Sequence, residues 1–228
     1  IELIKTNPSF AEAHNNLANI YIKENKIEEA IFYLEKAIAN KHDLTQAHLN
    51  LAKIYIALGN SLQIKGDIEA SVKNYKKAIE YKSDSFEAHN NLGIALIKLN
   101  KVTEAINSFE NAIKIKSDYY EAHNNLGNVL NQQEKIEDAI KSYQKAISIK
   151  PDYLEAYNNL GTVFDKIENF DQAIENYKHA IKIKPDFTKA YNNLAASLVR
   201  QGRFDEAIKN YNKAIKLRPK YANAYNNL

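Results

Sequence analysis

The amino-acid sequence predicts an all-α protein, an α-solenoid built from stacked helical hairpins. One unit, which begins near the motif Ala-His-Asn-Asn-Leu, recurs along the chain, and successive units start 34 residues apart with a single exception of 41. Each unit holds two amphipathic segments, such as 120–133 and 137–150, whose apolar residues recur at three- and four-residue spacing. Only six Gly and four Pro interrupt the 228 residues, which is typical of a helix-rich chain.

The recurring motif sets the predicted repeat boundaries of a single array over residues 1–228. The complete repeats span 11–44, 45–85, 86–119, 120–153, 154–187 and 188–221, and partial repeats occupy 1–10 and 222–228. The chain begins at Ile1 without a Met and stops within a motif at Leu228. We therefore expect it to be a piece of a longer protein.

Charged residues and prolines mark the ends of the second helices. Acidic residues open three of these helices and basic residues close them, which matches the helix dipole. The acidic residues are Glu137, Asp171 and Asp205, and the basic residues are Lys150, Lys184 and Arg218. A proline follows each basic residue, and the residue before a proline disfavours helical geometry. We expect each of these helices to end at its basic residue.

Small residues recur where two helices must approach closely, and large residues fill the gaps between them. The small residues of the first helices are Ala18, Gly93, Gly127, Gly161 and Ala195, and large residues of the second helices are Tyr75, Phe109, Tyr143, Tyr177 and Tyr211. This alternation resembles the tetratricopeptide repeat family over essentially the whole chain. The resemblance implies a right-handed superhelix whose first helices line a concave groove. The sequence departs from that family at the tight turn, where Asn25, Asn100, Glu134 and Glu168 replace Gly.

The second repeat carries seven extra residues. Leu58-Gly59 repeats the pattern of Leu51-Ala52 seven positions later, and seven steps of about 100° fall only ~20° short of two full helical turns. The same face of the helix therefore stays buried. We expect one continuous helix over about 45–65, which projects roughly 10 Å beyond the array. A surface loop is the alternative.

Composition and charge exclude several classes of function. The 31 Lys and Arg nearly balance the 28 Asp and Glu, and they are spread evenly, without the basic blocks of a nucleic-acid or membrane binder. The absence of Cys removes disulfides and thiolate metal sites and fits a reducing, cytoplasmic compartment. No apolar run approaches the roughly 20 residues of a membrane span. We expect no nucleic-acid partner, no membrane partner and no cofactor.

No residue pattern of a known catalytic or metal site is present. The sequence lacks a Gly-rich phosphate loop, a nucleophile elbow and a His-Glu-x-x-His helix, so we predict no catalytic residue and no metal site. One position of the repeat is always aromatic or histidine. It holds His14, His48, His89, His123, Tyr157, Tyr191 and Tyr225. Packed helices lie ~8–10 Å apart, too far for these His to share one zinc ion. We predict a packing role for this position.

Asparagine is the residue type that calls for a functional interpretation. Asn is a poor helix former because its amide competes for backbone hydrogen bonds, yet it recurs inside the first helices. The predicted peptide-binding residues are Asn15, Asn16, Asn19, Asn50, Asn90, Asn91, Asn124, Asn125, Asn128, Asn158, Asn159, Asn192 and Asn193, and the pair recurs at Asn226-Asn227. An amide both donates and accepts, so such a row can pair with the backbone of an extended peptide without selecting its side chains. The alternative is that the second Asn of each pair ties neighbouring helices together.

These observations predict a scaffold that binds a protein or an extended peptide along an Asn-rich groove. Two alternatives stay open. Similar Asn rows line the repeat arm of O-linked N-acetylglucosamine transferases, so the chain is alternatively the substrate-recruiting arm of a larger glycosyltransferase. The third interpretation is a structural scaffold that associates end to end through its cut repeats.

Overall fold

A computed structural model describes residue 7, residues 9–219 and residue 222. The partial repeats at 1–10 and 222–228 lie largely outside this range, and Tyr225, Asn226 and Asn227 lie wholly outside it. Within residues 9–219 the protein contains twelve α-helices and no strand, which confirms the predicted all-α fold class of stacked hairpins. The helices are α1 Ala11–Lys23, α2 Ile27–Asn40, α3 Thr45–Lys65, α4 Ile68–Tyr81, α5 Phe86–Lys98, α6 Val102–Ile115, α7 Tyr120–Gln132, α8 Ile136–Ile149, α9 Leu154–Lys166, α10 Phe170–Ile183, α11 Thr188–Arg200 and α12 Phe204–Leu217.

The chain divides into two compact units, Ile1–Lys116 and Ser117–Leu228. The first unit holds the hairpins α1–α2, α3–α4 and α5–α6, and the second holds α7–α8, α9–α10 and α11–α12. Within each unit the second helix of one hairpin also packs against the first helix of the next, as α4 does against α5 and α10 against α11. Each hairpin therefore buries its apolar face partly against its neighbour, as repeat proteins do.

The helix ends agree with the charge and proline pattern. The residue that caps the C-terminus is Lys150 in α8, Lys184 in α10 and Arg218 in α12. The tight turns inside the hairpins use left-handed backbone at the positions where Gly is replaced. These positions are Asn25, Asn100, Glu134 and Glu168, with φ of 59–60°. A non-glycine residue in this conformation stores about 1–2 kcal/mol of strain, less for Asn than for Glu.

Four of the six described hairpins pack an aromatic ring against a glycine. A Cβ added to Gly127 would lie 2.8 Å from Cε1 of Tyr143, and one added to Gly161 would lie 2.7 Å from Cε1 of Tyr177. Gly93 meets Phe109 in the same way at 2.6 Å. The predicted alternation of small and large residues is therefore the contact that joins the two helices of a hairpin.

Helix α3 runs without a break from Thr45 to Lys65, over the same residues for which the sequence predicts one long helix. It has 21 residues, whereas the other first helices have 13. Its N-terminal half contacts the preceding hairpin through Asn50. Its C-terminal half holds the following helix, because the Tyr75 ring of α4 packs on Gly59.

The expectation that the two extra turns project beyond the array is wrong. Asn91 of α5 donates a hydrogen bond to Asn60, ten residues after Asn50, whereas the corresponding asparagines in α7, Asn125 and Asn128, are three apart. The difference of seven residues is two turns, about 10.5 Å along the axis. The extra turns are in contact with the next hairpin, because α5 packs against α3 two turns farther from its N-terminus than α9 packs against α7.

Candidate functional site

Hydrogen-bonded asparagines join the first helices of the second unit. The amide Nδ2 of Asn159 on α9 donates to Oδ1 of Asn124 at 3.1 Å and to Oδ1 of Asn128 at 3.0 Å, and both acceptors lie on α7. The next step repeats the arrangement, since Nδ2 of Asn193 on α11 donates to Oδ1 of Asn158 at 3.1 Å. We call these five residues the second-unit ladder.

The first unit contains a matching row. Nδ2 of Asn50 on α3 donates to Oδ1 of Asn15 at 3.2 Å and to Oδ1 of Asn19 at 2.9 Å, both on α1. Nδ2 of Asn91 on α5 donates to Oδ1 of Asn60 on α3 at 3.1 Å. We call Asn15, Asn19, Asn50, Asn60 and Asn91 the first-unit ladder.

Tyrosine hydroxyls of the second helices donate hydrogen bonds to ladder asparagines of the first helices. The Tyr143 hydroxyl donates to Oδ1 of Asn128 at 2.8 Å, and the Tyr75 hydroxyl donates to Oδ1 of Asn60 at 2.7 Å. Burial raises the pKa of Tyr143 and of Tyr75 above the ordinary phenol value. Both phenols therefore stay protonated at neutral pH and keep donating.

The second hairpin of the second unit, α9–α10, has a carboxylate in this place, and it also bonds to α11 of the third hairpin. The hydroxyl of Ser197 donates to Oδ1 of Asp165 at 2.6 Å, and the hydroxyl of Tyr177 donates to Oδ2 of the same carboxylate at 2.7 Å. Sequence reasoning missed Asn60, Asp165 and Ser197. A signal for Asn60 was present, because Leu58-Gly59-Asn60 matches Leu126-Gly127-Asn128. No comparable pattern marks Asp165 and Ser197.

Burial separates the two asparagines of each pair. The first Asn of each pair, which we call the inner Asn, is buried in every described repeat that has it. The inner asparagines are Asn15, Asn90, Asn124, Asn158 and Asn192, with 1–7% of their surface exposed. The second, or outer, Asn is exposed at position 16 and half-buried at positions 91, 125, 159 and 193. Asn50, which stands alone after Leu49, is buried. The sequence predicts that the whole asparagine set lines a peptide-binding groove, but the inner amides lie between helices.

Two outer asparagines, Asn16 and Asn159, have a side-chain oxygen that accepts no hydrogen bond from a described residue, whereas Oδ1 of Asn91 and Oδ1 of Asn193 accept from the inner Asn beside them. Both hydrogen bonds of Asn159 use Nδ2, and no described residue donates to its Oδ1. The amide of Asn16 is exposed and makes no hydrogen bond to a described residue. Asn16 and Asn159 therefore each present a side-chain oxygen at the edge of a first helix. In Asn159 the two hydrogen bonds made by Nδ2 fix the orientation of that oxygen.

The aromatic position of the repeat anchors four of the first helices, α3, α5, α7 and α11, to the loop before them. Nε2 of His48 donates to the carbonyl of His42 at 2.8 Å, and Nε2 of His123 donates to the carbonyl of Ser117 at 3.1 Å. The Tyr191 hydroxyl makes the equivalent bond at 3.3 Å to the carbonyl six residues earlier. Burial lowers the pKa of His123, which favours the neutral imidazole. These contacts agree with the predicted packing role.

The described part of the chain has neither a cluster of metal-binding side chains nor a membrane-spanning helix. Among those residues no group of three or more His, Cys, Asp and Glu is placed to hold a metal ion. No helix there is both long enough and apolar enough to span a bilayer.

Solved structures share this architecture. The crystal structure of MamA protein is 30% identical in sequence with a TM-score of 0.64, covering 75% of this chain and 94% of MamA. YrrB, described as a TPR protein with an unusual peptide-binding site, is 22% identical with a TM-score of 0.65, covering 85% of this chain and 96% of YrrB. The pilF protein of Pseudomonas aeruginosa is 18% identical with a TM-score of 0.66, covering 95% of each chain. No curated protein sequence matches the chain.

Family models match nearly the whole sequence. A model described as TPR repeat matches residues 59–100, 95–133, 127–168 and 196–228, and models described as tetratricopeptide repeat match 11–44, 154–187 and 176–209. The match at 59–100 starts at Gly59, the residue of α3 that contacts the Tyr75 ring of α4. With its hairpins, its glycine–aromatic contacts and these matches, the chain belongs to the tetratricopeptide repeat family.

Proposed function

We propose that this chain is a scaffold that binds an extended polypeptide along the outer edges of its asparagine ladders. Its repeat fold is typical of proteins that mediate protein–protein interaction. The observation that carries the proposal is the hydrogen bonding of Asn159. Its Nδ2 donates to Asn124 and Asn128, while its half-buried Oδ1 accepts no hydrogen bond from the described residues.

A fixed amide is a better peptide ligand than a mobile one. Because the helix contacts already orient the Asn159 side chain, little conformational entropy is lost when a peptide N–H donates to its carbonyl. The outer Asn recurs once in each repeat of the second unit, so the peptide meets an asparagine amide at regular intervals. Such contacts pair with the backbone and leave the side-chain sequence of the peptide largely unselected.

The inner asparagines support the site indirectly. Asn124 and Asn158 are buried and accept the hydrogen bonds that orient Asn159 and Asn193. We assign direct contact with the peptide to the outer set, and to Asn19 and Asn128, which are also half-buried. The inner set, with Asn50, holds the ladder in place. YrrB, a TPR protein described as having an unusual peptide-binding site, is a precedent within the same fold.

A triple substitution tests this proposal. The variant Asn16→Ala, Asn159→Ala and Asn193→Ala should bind extended polypeptides on a peptide array at least tenfold more weakly than wild type, because each lost hydrogen bond contributes about 0.5–1.5 kcal/mol. The affinity for the strongest array sequences should then be measured by fluorescence anisotropy.

Three exposed asparagines of second helices provide a matched control. Asn107, Asn111 and Asn212 make no hydrogen bond to described residues, and their replacement by Ala should leave the affinity unchanged. If the ladder variant binds as tightly as this control variant, the outer asparagines do not hold the peptide and the proposal fails.

A further inference from the structure

An open cleft lies beside the first hairpin, where α3 continues past the turn between α1 and α2. Its volume is about 650 Å³, within the range of roughly 300–1,000 Å³ that is usual for ligand pockets. The floor is apolar and is formed by Ile22, Ile27, Ile54, Ala57 and Leu58. The cleft arises because α4 packs on Gly59 and α5 bonds to Asn60, so that both contacts fall on the C-terminal half of α3 and leave its middle uncovered.

The rim of the cleft is basic. Lys23 and Lys53 line it, both are exposed, and neither is paired with an acidic group of a described residue. No carboxylate lines the cleft, and the nearby Glu24 is paired with Lys26, with 2.7 Å between Nζ and Oε2. An anionic group at this rim would therefore meet two ammonium groups and no opposing carboxylate.

The cleft is continuous with the first-unit ladder. Asn19 and Asn50 line it and are joined by the hydrogen bond from Nδ2 of Asn50 to Oδ1 of Asn19. A polypeptide that follows the ladder thus passes directly over the apolar floor. This continuity favours a peptide over a free small molecule as the occupant.

We propose that the cleft binds apolar side chains of an extended polypeptide segment whose flanking residues are acidic. The proposal rests on peptide binding along the ladders and adds a sequence preference to it. Apolar side chains bury against Ile54 and Leu58, while the flanking carboxylates pair with Lys23 and Lys53. The ladder tolerates many sequences, whereas the cleft selects one class among them.

Three fluorescein-labelled peptides of equal length test the preference. The first places a Leu-Phe pair between Asp and Glu residues, the second replaces the acidic residues with Lys, and the third replaces Leu-Phe with Ala-Ala. The intact chain should bind the first peptide at least about tenfold more tightly than either of the others, because both the apolar and the ionic contacts contribute. Equal affinity for the Lys-flanked peptide would overturn the proposal.

Filling the cleft should abolish this preference. Ala57 is an exposed residue of the floor, so Ala57→Trp should occupy the cleft without disturbing the core, and it should weaken binding of the first peptide by about tenfold. The same substitution at Ala39, an exposed residue of α2 outside the cleft, is the matched control and should have no effect. Circular dichroism should show that both variants are folded.

The outcomes separate this inference from the proposed function. If Ala57→Trp binds the first peptide normally while the ladder variant loses binding, the cleft has no role and the peptide-binding function stands. If neither variant differs from wild type, both proposals fail. If the cleft takes dodecanoate but none of the three peptides, it is a fatty-acid pocket and the inference is wrong.

Discussion

The same asparagine bonds join the first two hairpins of each unit, but the first helix of the second hairpin differs after these bonds. Asn50 and Asn159 each donate to two asparagines of the preceding first helix, one turn apart. In the second unit α9 then ends at Lys166, whose Nζ lies 3.5 Å from the carbonyl of Asn131 and 3.6 Å from Oε1 of Glu134. In the first unit α3 continues, and Ala57 occupies the position of that lysine.

The comparison separates two properties of the repeat. An insertion of two whole helical turns preserves the buried face, so the ladder bonds at this junction are the same in both units. The insertion also moves the next hairpin along α3, and a short side chain replaces the lysine that crosses the second junction. The ladder is therefore a property of the repeat, whereas the open cleft is a property of one junction.

The largest expected effect concerns the buried inner asparagines, which occur in both units. Replacing Asn90, Asn124, Asn158 and Asn192 with Ala should lower the free energy of unfolding by roughly 2–6 kcal/mol, because buried partners are left unsatisfied. The better helix propensity of Ala offsets only a few tenths of a kcal/mol per site. Chemical denaturation measured by circular dichroism checks this. A variant that unfolds at the wild-type midpoint would show that the inner asparagines contribute nothing to the fold.

A pair of glycine substitutions tests the shifted register of α3. Gly127→Leu should destabilise the protein by about 1–3 kcal/mol because Tyr143 already fills the space at the glycine. Gly59→Leu should have a similar effect in the first unit, where Tyr75 lies as close. Thermal melts of both variants, with Ala39→Leu as the exposed control, provide the measurement. A mild Gly59 variant beside a severe Gly127 variant would contradict the shift of two turns.

Deleting residues 52–58 should convert the first junction into the second type. The deletion joins Leu51 to Gly59 and restores the 34-residue spacing, so that Leu51-Gly59-Asn60 matches Leu126-Gly127-Asn128. We expect a folded protein that has lost the cleft and binds the acidic Leu-Phe peptide about tenfold more weakly. Far-ultraviolet circular dichroism and anisotropy measure the two results. An unfolded deletion variant would mean that the two repeats are not interchangeable.

The repeat was predictable because its signals are local in sequence. Hydrophobic spacing, small residues and terminal prolines recur at fixed intervals, and each reflects a contact within one hairpin or between adjacent ones. The same periodicity predicted the unbroken helix at 45–65. It also identified Asn15, Asn124 and Asn159 as members of one row, although not which of them are buried.

The sequence by itself determined the fold class, the hairpin units and the positions of the asparagines. Only the tertiary structure decided that the inner amides lie between helices while the side-chain carbonyls of Asn16 and Asn159 accept no hydrogen bond from a described residue. It also decided that the inserted turns carry the next hairpin instead of projecting. The physical reason is that periodicity defines the face of a helix on which a residue lies, whereas the level at which the neighbouring helix packs depends on contacts between residues about 30 positions apart, such as Asn91 and Asn60.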